Sequence, residues 1–109
     1  LDIKQIIEEA FENRSSLSPA TAAAELKEAV QEAIMGLDRG VLRVAEKKDS
    51  QWQVNQWLKK AVLLSFRLQD NMLMDGGYTN YFDKVSSKFS DFGLDEFKEA
   101  GYRIVPPAA

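Results

Sequence analysis

The most constraining feature of this chain is a long apolar stretch, residues 52–67, which contains both tryptophans. At 100° per residue, about residues 55–69 form one helix whose apolar side chains cover most of its circumference. Its narrow polar stripe consists of Gln56, Lys59, Lys60, Arg67 and Asp70, with Leu63 among them. A helix that is apolar on so many sides must be surrounded by other elements. We therefore expect a central buried helix in a single core. The stretch is too short and too charged to cross a membrane, which requires ~20 apolar residues.

The residues before this helix predict a helical hairpin followed by a β-hairpin. Apolar side chains at helical spacing indicate a first helix of about three turns near residues 3–12. A second helix is expected from Ser18 as N-cap and Pro19 as first helical residue to Gly40 as left-handed cap. Alternation in residues 41–47 and 51–54, around a turn at residues 48–50, predicts two strands. The overall expectation is an α+β fold.

The residues after the central helix give weaker signals. Residues 72–74 are compatible with a short strand before a glycine-containing turn, and residues 81–85 with extended backbone. A short helix is expected over residues 94–100, with Leu94, Phe97 and Ala100 facing inward and Gly101 as its cap. Residues 102–105 are predicted to form a last strand that Pro106 and Pro107 end.

Length and composition restrict the functions that the chain can perform. A sequence of 109 residues is expected to form one domain. The net charge of −3 disfavours nucleic acid as a partner. The sequence has neither cysteine nor histidine, which removes disulfides, thiolate chemistry, the commonest metal ligand and the commonest general base. No targeting segment is recognisable, so we expect a cytoplasmic location.

Four blocks of residues carry a resemblance to a known enzyme family. They are residues 42–47 (LRVAEK), Trp52 with residues 56–67 (QWLKKAVLLSFR), residues 81–85 (YFDKV) and residues 101–109 (GYRIVPPAA). In this order they resemble the N-terminal region of tetrahydrodipicolinate N-succinyltransferases of bacterial lysine (diaminopimelate) biosynthesis. The resemblance implies that residues 1–105 form an N-terminal α+β domain. Residues 106–109 would then begin a linker into a left-handed β-helix domain that this sequence lacks.

The resemblance also implies a reaction. The family transfers a succinyl group from succinyl-CoA to the amino group of ring-opened tetrahydrodipicolinate, and it acts as a homotrimer. Attack of an amine on a thioester requires a base and donors for the oxyanion. The resemblance places the catalytic groups and the CoA site in the absent β-helix domain. We therefore expect no catalytic residue, no metal ligand and no bound cofactor in these 109 residues, and no activity of the fragment alone.

Arg103 is the main candidate for a functional residue. The resemblance assigns substrate binding to the arginine of the Gly-Tyr-Arg-Ile-Val-Pro-Pro motif. The family's substrate is a dicarboxylate, and a guanidinium can bind a carboxylate through two parallel hydrogen bonds. Without the resemblance, an ordinary surface arginine paired with a nearby acid would be the better interpretation.

The other candidates have stronger structural alternatives. Asp83 and Lys84 lie in a matching block and could line the cleft toward the missing domain, although ordinary loop charges explain them as well. Lys59 and Lys60 could contact an anion, but the solvated stripe of a helix is the simpler interpretation. The aromatic residues at helical or strand spacing are expected in the core. They are Trp52, Trp57, Phe66, Tyr81 and Phe82.

A competing hypothesis is a free-standing acidic domain that docks on a protein partner and catalyses nothing. The absence of histidine and cysteine is compatible with it. Hexapeptide repeats directly after Ala109 in the parent reading frame would favour the enzyme, whereas a stop codon would favour the interaction module. A nucleic-acid binder would show salt-sensitive DNA binding, and we expect none.

Overall fold

The computed structural model describes residues 2–109 and divides the chain into two compact units, Leu1–Asp70 and Asn71–Ala109. The first unit contains α1 (Ile3–Glu12), a 3₁₀ turn (Arg14–Ser16), α2 (Ala24–Arg39), β1 (Ala45–Lys48), β2 (Gln51–Val54) and α3 (Gln56–Arg67). The second contains β3 (Met72–Asp75), β4 (Asn80–Asp83) and α4 (Leu94–Ala100). The predicted α+β fold is confirmed.

The core of the first unit lies where α1, α2 and α3 pack together. Ile7, Leu58 and Leu64 are the largest fully buried side chains. The remaining buried apolar residues are Leu26, Ala29, Val30, Ala33 and Ala61. Ala29, Ala33 and Ala61 are small, which lets the helix backbones approach closely. The three helices therefore share a single apolar core.

The start of α2 differs from the prediction. Ser18 and Thr21 form a closed turn, in which the Thr21 amide donates to Ser18 Oγ at 3.2 Å and the Ser18 amide donates to Thr21 Oγ1 at 3.0 Å. Ala23 then has extended backbone, with ψ at 150°, and α2 begins at Ala24. The hydrogen-bonding groups of Ser18 are used within this single turn and do not cap α2. The predicted helix start at Pro19 is therefore wrong.

The end of α2 follows the prediction and explains why β1 starts late. Gly40 has φ of 78°, and the Val41 and Leu42 amides donate to the carbonyl of Gly36 at 3.0 and 3.1 Å. Leu42 lies directly over Gly36, where a Cβ would be 2.5 Å from Leu42 Cδ1. Because residues 41 and 42 complete the helix cap, pairing in the hairpin begins only at Ala45.

The predicted hairpin of β1 and β2 is confirmed, and Asn55 connects it to α3. Asp49 and Ser50 form the two-residue turn with φ of 51° and 63°, as expected for a type I′ turn. The Asn55 side-chain amide donates to the carbonyl of Arg43 at 2.7 Å and to Glu46 Oε2 at 2.6 Å. One side chain thus fixes the exit from the hairpin at the start of α3.

Helix α3 has the predicted position, but it is less completely surrounded than expected. Leu58, Ala61 and Leu64 are buried, and Leu63 is 52% exposed, as its position in the polar stripe predicts. Phe66, which was expected to be covered, is 43% exposed. Among the described elements, α1 and α2 pack most extensively on this helix, and two helices cover only one side of a third. The apolar circumference therefore includes a surface face as well as a core face.

In the second unit, β3 and β4 form an antiparallel hairpin with Met72 opposite Asp83. The short strand and the extended segment are thus confirmed, although their pairing was not predicted. The bounds of α4 and its Gly101 cap are also confirmed. Leu94 is 70% exposed and Ala100 is exposed, so their predicted inward orientation is wrong.

The predicted last strand over residues 102–105 is not present in the described part of the chain. β3 and β4 pair with each other, and no described strand pairs with residues 102–105. Strand formation requires a hydrogen-bonding partner, which the alternation of side chains cannot supply. Residues 102–105 therefore have irregular backbone.

Two adjacent leucines of α3 test the position of the core. We expect Leu64→Ala to lower the free energy of unfolding by about 2–5 kcal/mol, because it opens a cavity in a fully buried site. The exposed neighbour Leu63 is the matched control, and Leu63→Ala should cost less than about 1 kcal/mol. Urea unfolding at low protein concentration measures both values. Equal losses would contradict the proposed division of α3 into core and surface faces.

The contact between Asn55 and Glu46 predicts a pH effect. The hydrogen bond from Asn55, followed by the contact with Lys48, lowers the pKa of Glu46 below its ordinary value of 4.5. Because the folded pKa is lowered, the stabilisation is present above pH 4.5 and is lost as the pH falls through the folded value. Asn55→Ala should raise the pKa of Glu46, and Lys48→Met should raise it less. Carboxyl NMR titration would measure these values, and an unchanged pKa in Asn55→Ala would refute the assignment.

Candidate functional site

The main candidate, Arg103, lies in the second unit just after α4. Gly101 ends that helix in the left-handed conformation, with φ of 74°, and its amide donates to the carbonyl of Phe97 at 3.0 Å. A glycine adopts this conformation without the steric cost of a Cβ. The cap redirects the chain and leaves Tyr102 and Arg103 as the first residues beyond the helix.

Tyr102 packs against a cluster of phenylalanines beside this turn and stays 52% exposed. Its ring makes an edge contact with Phe89, with centroids 5.8 Å apart, and stacks on Phe92 at 6.3 Å. Phe97 joins the cluster from α4, 5.1 Å from Phe92 and 5.9 Å from Phe89. Aromatic pairs at such distances add to the stabilisation from burial. The residue directly before Arg103 is therefore anchored.

Arg103 itself is exposed to solvent. Among residues 2–109 it forms no hydrogen bond, ion pair or ring contact. The guanidinium retains its full set of donors, and its planar fork matches the two oxygens of a carboxylate. The alternative interpretation, a surface arginine paired with a nearby acid of the same chain, does not describe this side chain. The geometry is that of a cation free to bind an external anion.

Asp83 and Lys84 lie at the end of β4, and their geometry is less suited to ligand binding. Asp83 Oδ1 accepts a hydrogen bond from the backbone amide of Lys84 at 2.7 Å, which engages part of the carboxylate. Lys84 is half-buried and has an interaction within the chain. In the described residues, no ion pair joins Asp83 to Arg103. The structure thus gives no contact that unites the three candidates in one site.

The basic and aromatic candidates on the first unit are divided by exposure. Lys59 is exposed, whereas Lys60 is half-buried and its Nζ lies 5.5 Å from the ring centroid of Phe11. The expectation that the aromatic residues are core is wrong for most of them. Only Trp57 packs against the core, while the others range in exposure from 37% to 70%: Trp52, Phe66, Tyr81 and Phe82. Small helices and two-stranded hairpins leave one side of each element uncovered.

Two features of the structure were not anticipated from the sequence. One is the aromatic cluster around Tyr102, which the spacing of Phe89, Phe92 and Phe97 could have indicated. The other is an open depression of about 480 Å³ on the first unit, lined by Phe11, Arg14, Leu63, Leu64, Phe66 and Arg67. Its residues come from two helices that are distant in sequence, so no local pattern could reveal it.

Neither a metal site nor a membrane span emerges from the described residues. Residues 2–109 contain no group of three or more acidic side chains placed to hold a metal ion. Among the described helices, none combines the length and the apolar character needed to cross a bilayer.

Comparison with known proteins relates both units to one group of enzymes. Residues 2–68 match the sequence model of a family described as tetrahydrodipicolinate N-succinyltransferase N-terminal. The whole chain is 63% identical over 109 residues to the 2,3,4,5-tetrahydropyridine-2,6-dicarboxylate N-succinyltransferase of Methylococcus capsulatus and covers 40% of it. Proteins of the same name in Azoarcus sp. and Thiobacillus denitrificans are 60% and 58% identical, over 98% and 99% of this chain and 39% and 40% of their own lengths.

The extent of these matches bears on Arg103. It lies beyond the residues that the family model covers, but inside the span that aligns with the Methylococcus capsulatus relative. The chain spans about 40% of the length of the curated relatives it matches. The remaining part of such a relative therefore lies outside the aligned span.

The aromatic anchor of Arg103 can be tested without any ligand. Tyr102→Ala removes both ring contacts, so we expect faster and larger motion of the Arg103 amide than in the unaltered chain. Tyr102→Phe keeps the ring and should preserve the original order. Backbone ¹⁵N relaxation measures the order parameter of Arg103 in both variants. Identical values in Tyr102→Ala and the unaltered chain would show that the cluster does not position this residue.

Proposed function

The chain belongs to the tetrahydrodipicolinate N-succinyltransferase N-terminal family, and from this membership we propose that it is the N-terminal domain of such an enzyme. The observation that carries the proposal is the similarity of about 60% identity along the entire chain. The reaction is transfer of succinyl from succinyl-CoA to the amino group of ring-opened tetrahydrodipicolinate, in lysine biosynthesis. Residues 1–105 are the domain, and residues 106–109 lead into a left-handed β-helix domain.

Arg103 is the residue of this domain that we propose to contact substrate. The name of these relatives specifies a 2,6-dicarboxylate. Its carboxylates are recognised best by charged donors with matching planar geometry. The exposed guanidinium beyond the Gly101 cap, which is unpaired among residues 2–109, supports this role, because no acid among these residues must be displaced before substrate binds. Two parallel N–H···O bonds would orient one carboxylate and leave the amino group free for attack on the thioester.

In this proposal the two domains perform different tasks in the reaction. Attack on the thioester requires deprotonation of the substrate ammonium and stabilisation of the oxyanion. As the family resemblance implies, we assign those tasks and the binding of succinyl-CoA to the β-helix domain. The assembly is a cytoplasmic homotrimer in this proposal. Asp83 and Lys84 line the cleft between the two domains rather than take part in the reaction.

A chimera tests the proposal directly. We expect this chain to support activity when it replaces the matching 109 residues of the Methylococcus capsulatus relative. Arg103→Lys in the chimera should raise KM for the dicarboxylate about ten- to a hundredfold, because losing one charge-assisted hydrogen bond costs about 1.5–3 kcal/mol. KM for succinyl-CoA should change little. Steady-state CoA release measures both constants.

Two controls complete this experiment. Arg43→Lys alters an exposed arginine whose backbone carbonyl, not its side chain, accepts the Asn55 bond, so it should leave both KM values unchanged. The 109-residue chain alone should release no CoA from succinyl-CoA in the presence of substrate. An inactive chimera, or CoA release by the isolated chain, would contradict the proposed division and would favour the interaction-module hypothesis or a complete active site here.

A further inference from the structure

Helix α3 differs in charge from every other helix in the described part of the chain. It carries the cations Lys59, Lys60 and Arg67 and no acidic residue. By contrast, α1 has three acidic residues and one basic residue, α2 has four and two, and α4 has three and one. In a chain with net charge −3, helix α3 is therefore a local excess of positive charge.

This excess of positive charge borders the open depression of about 480 Å³ on the first unit. Arg14 enters it from the 3₁₀ turn after α1, and Arg67 from the last residue of α3. Lys60 lies nearby, with Nζ 5.5 Å from the Phe11 ring centroid. Among residues 2–109, none of these three cations forms an ion pair, and no acidic side chain lines the depression. We name it the basic depression, lined by Phe11, Arg14, Leu63, Leu64, Phe66 and Arg67.

Arg14 is held in position without any ligand. Its guanidinium carbon lies 4.1 Å from the Phe11 ring centroid, and Nη1 donates a hydrogen bond to the Phe11 carbonyl at 2.9 Å. A guanidinium has five N–H donors, so four of them remain available to an external acceptor. Because the side chain is already fixed, it loses less conformational freedom when an anion binds. Arg67 forms no hydrogen bond among residues 2–109, so all its donors are available.

The other lining residues of the basic depression are apolar. Leu63 and Phe66 protrude at 52% and 43% exposure, and Leu64 is fully buried. A simple hydrated anion would leave this apolar surface in contact with water. A ligand with a flat apolar ring would cover it and could also pack on the Phe66 ring. The volume of about 480 Å³ lies within the ~300–1,000 Å³ of ordinary small-molecule sites.

We propose that the basic depression binds a small aromatic oxyanion, that is, one carboxylate or phosphate group carried on a flat apolar ring. The oxyanion accepts hydrogen bonds from Arg14 and Arg67, whose planar forks match the oxygens of either group. The ring lies on Leu63 and Phe66. Such a ligand differs from the dicarboxylate proposed at Arg103, which does not line this depression. The proposal concerns the first unit alone and does not rest on the proposed enzymatic function.

Titration of this chain with 1-naphthoate, followed by ¹H–¹⁵N NMR, tests the proposal. We expect saturable shifts of the amides of residues 11–14 and 63–67, with Kd of about 1 mM for a ligand of this size. 1-Naphthyl phosphate should shift the same amides. Acetate, which lacks the ring, and 1-naphthalenemethanol, which lacks the charge, should shift them much less at the same concentration.

Substitutions assign the binding to individual side chains. Arg14→Gln and Arg67→Gln should each raise Kd for 1-naphthoate about fivefold or more, because each removes charge-assisted donors. Leu63→Asp should abolish saturable binding, because its carboxylate repels the ligand. The matched controls Arg39→Gln and Arg103→Gln alter exposed arginines that do not line the basic depression and should leave Kd unchanged. The dispersion of each spectrum verifies that the variant is folded.

Several results would overturn the proposal. They are the absence of saturable shifts with both naphthyl anions, equal shifts with 1-naphthalenemethanol, and a loss of binding confined to Arg103→Gln. Shifts of the same amides when only the protein concentration rises would show that a second copy covers the depression. Binding to phosphatidylglycerol vesicles that Arg14→Gln abolishes and 1-naphthoate does not displace would instead assign the depression to a membrane surface.

Discussion

The packing of α3 between α1 and α2 is the contact on which the first unit depends. Leu58, Ala61 and Leu64 form a narrow seam that is completely removed from water, and Ile7 closes it from α1. Burial of apolar area of this kind contributes roughly 25 cal/mol per Å² and is the dominant favourable term in folding. The small side chain of Ala61 lets the neighbouring helices pack closely on this side of α3. The opposite side of α3, which includes Leu63 and Phe66, is surface.

Polar and aromatic contacts fix the ends of elements that the core does not reach. Asn55 connects the β-hairpin to the start of α3 through Arg43 and Glu46, so that hairpin and helix share one junction. In the second unit the rings around Tyr102 perform the corresponding task beyond α4. Each of these side-chain contacts lies next to a segment that forms neither helix nor strand. Side chains thus define positions that secondary structure leaves undetermined.

The candidate site is consistent with a domain that binds and orients substrate while chemistry occurs elsewhere. Arg103 is exposed, unpaired among the described residues and preceded by an anchored ring. The anchored ring limits the backbone freedom that Arg103 would lose when its guanidinium binds a carboxylate. These features support the proposed binding role of Arg103.

The sequence alone determined the helices, the first hairpin and the identity of Arg103 as a candidate, because periodicity, turn residues and motif are local properties. It did not determine where α2 begins, since the Ser18 turn competes with the helix for the same hydrogen bonds. Nor did it predict that Phe66 remains exposed, or that residues 102–105 lack a strand partner. Those outcomes depend on which elements meet, and only tertiary packing decides which apolar face is covered and which backbone is paired.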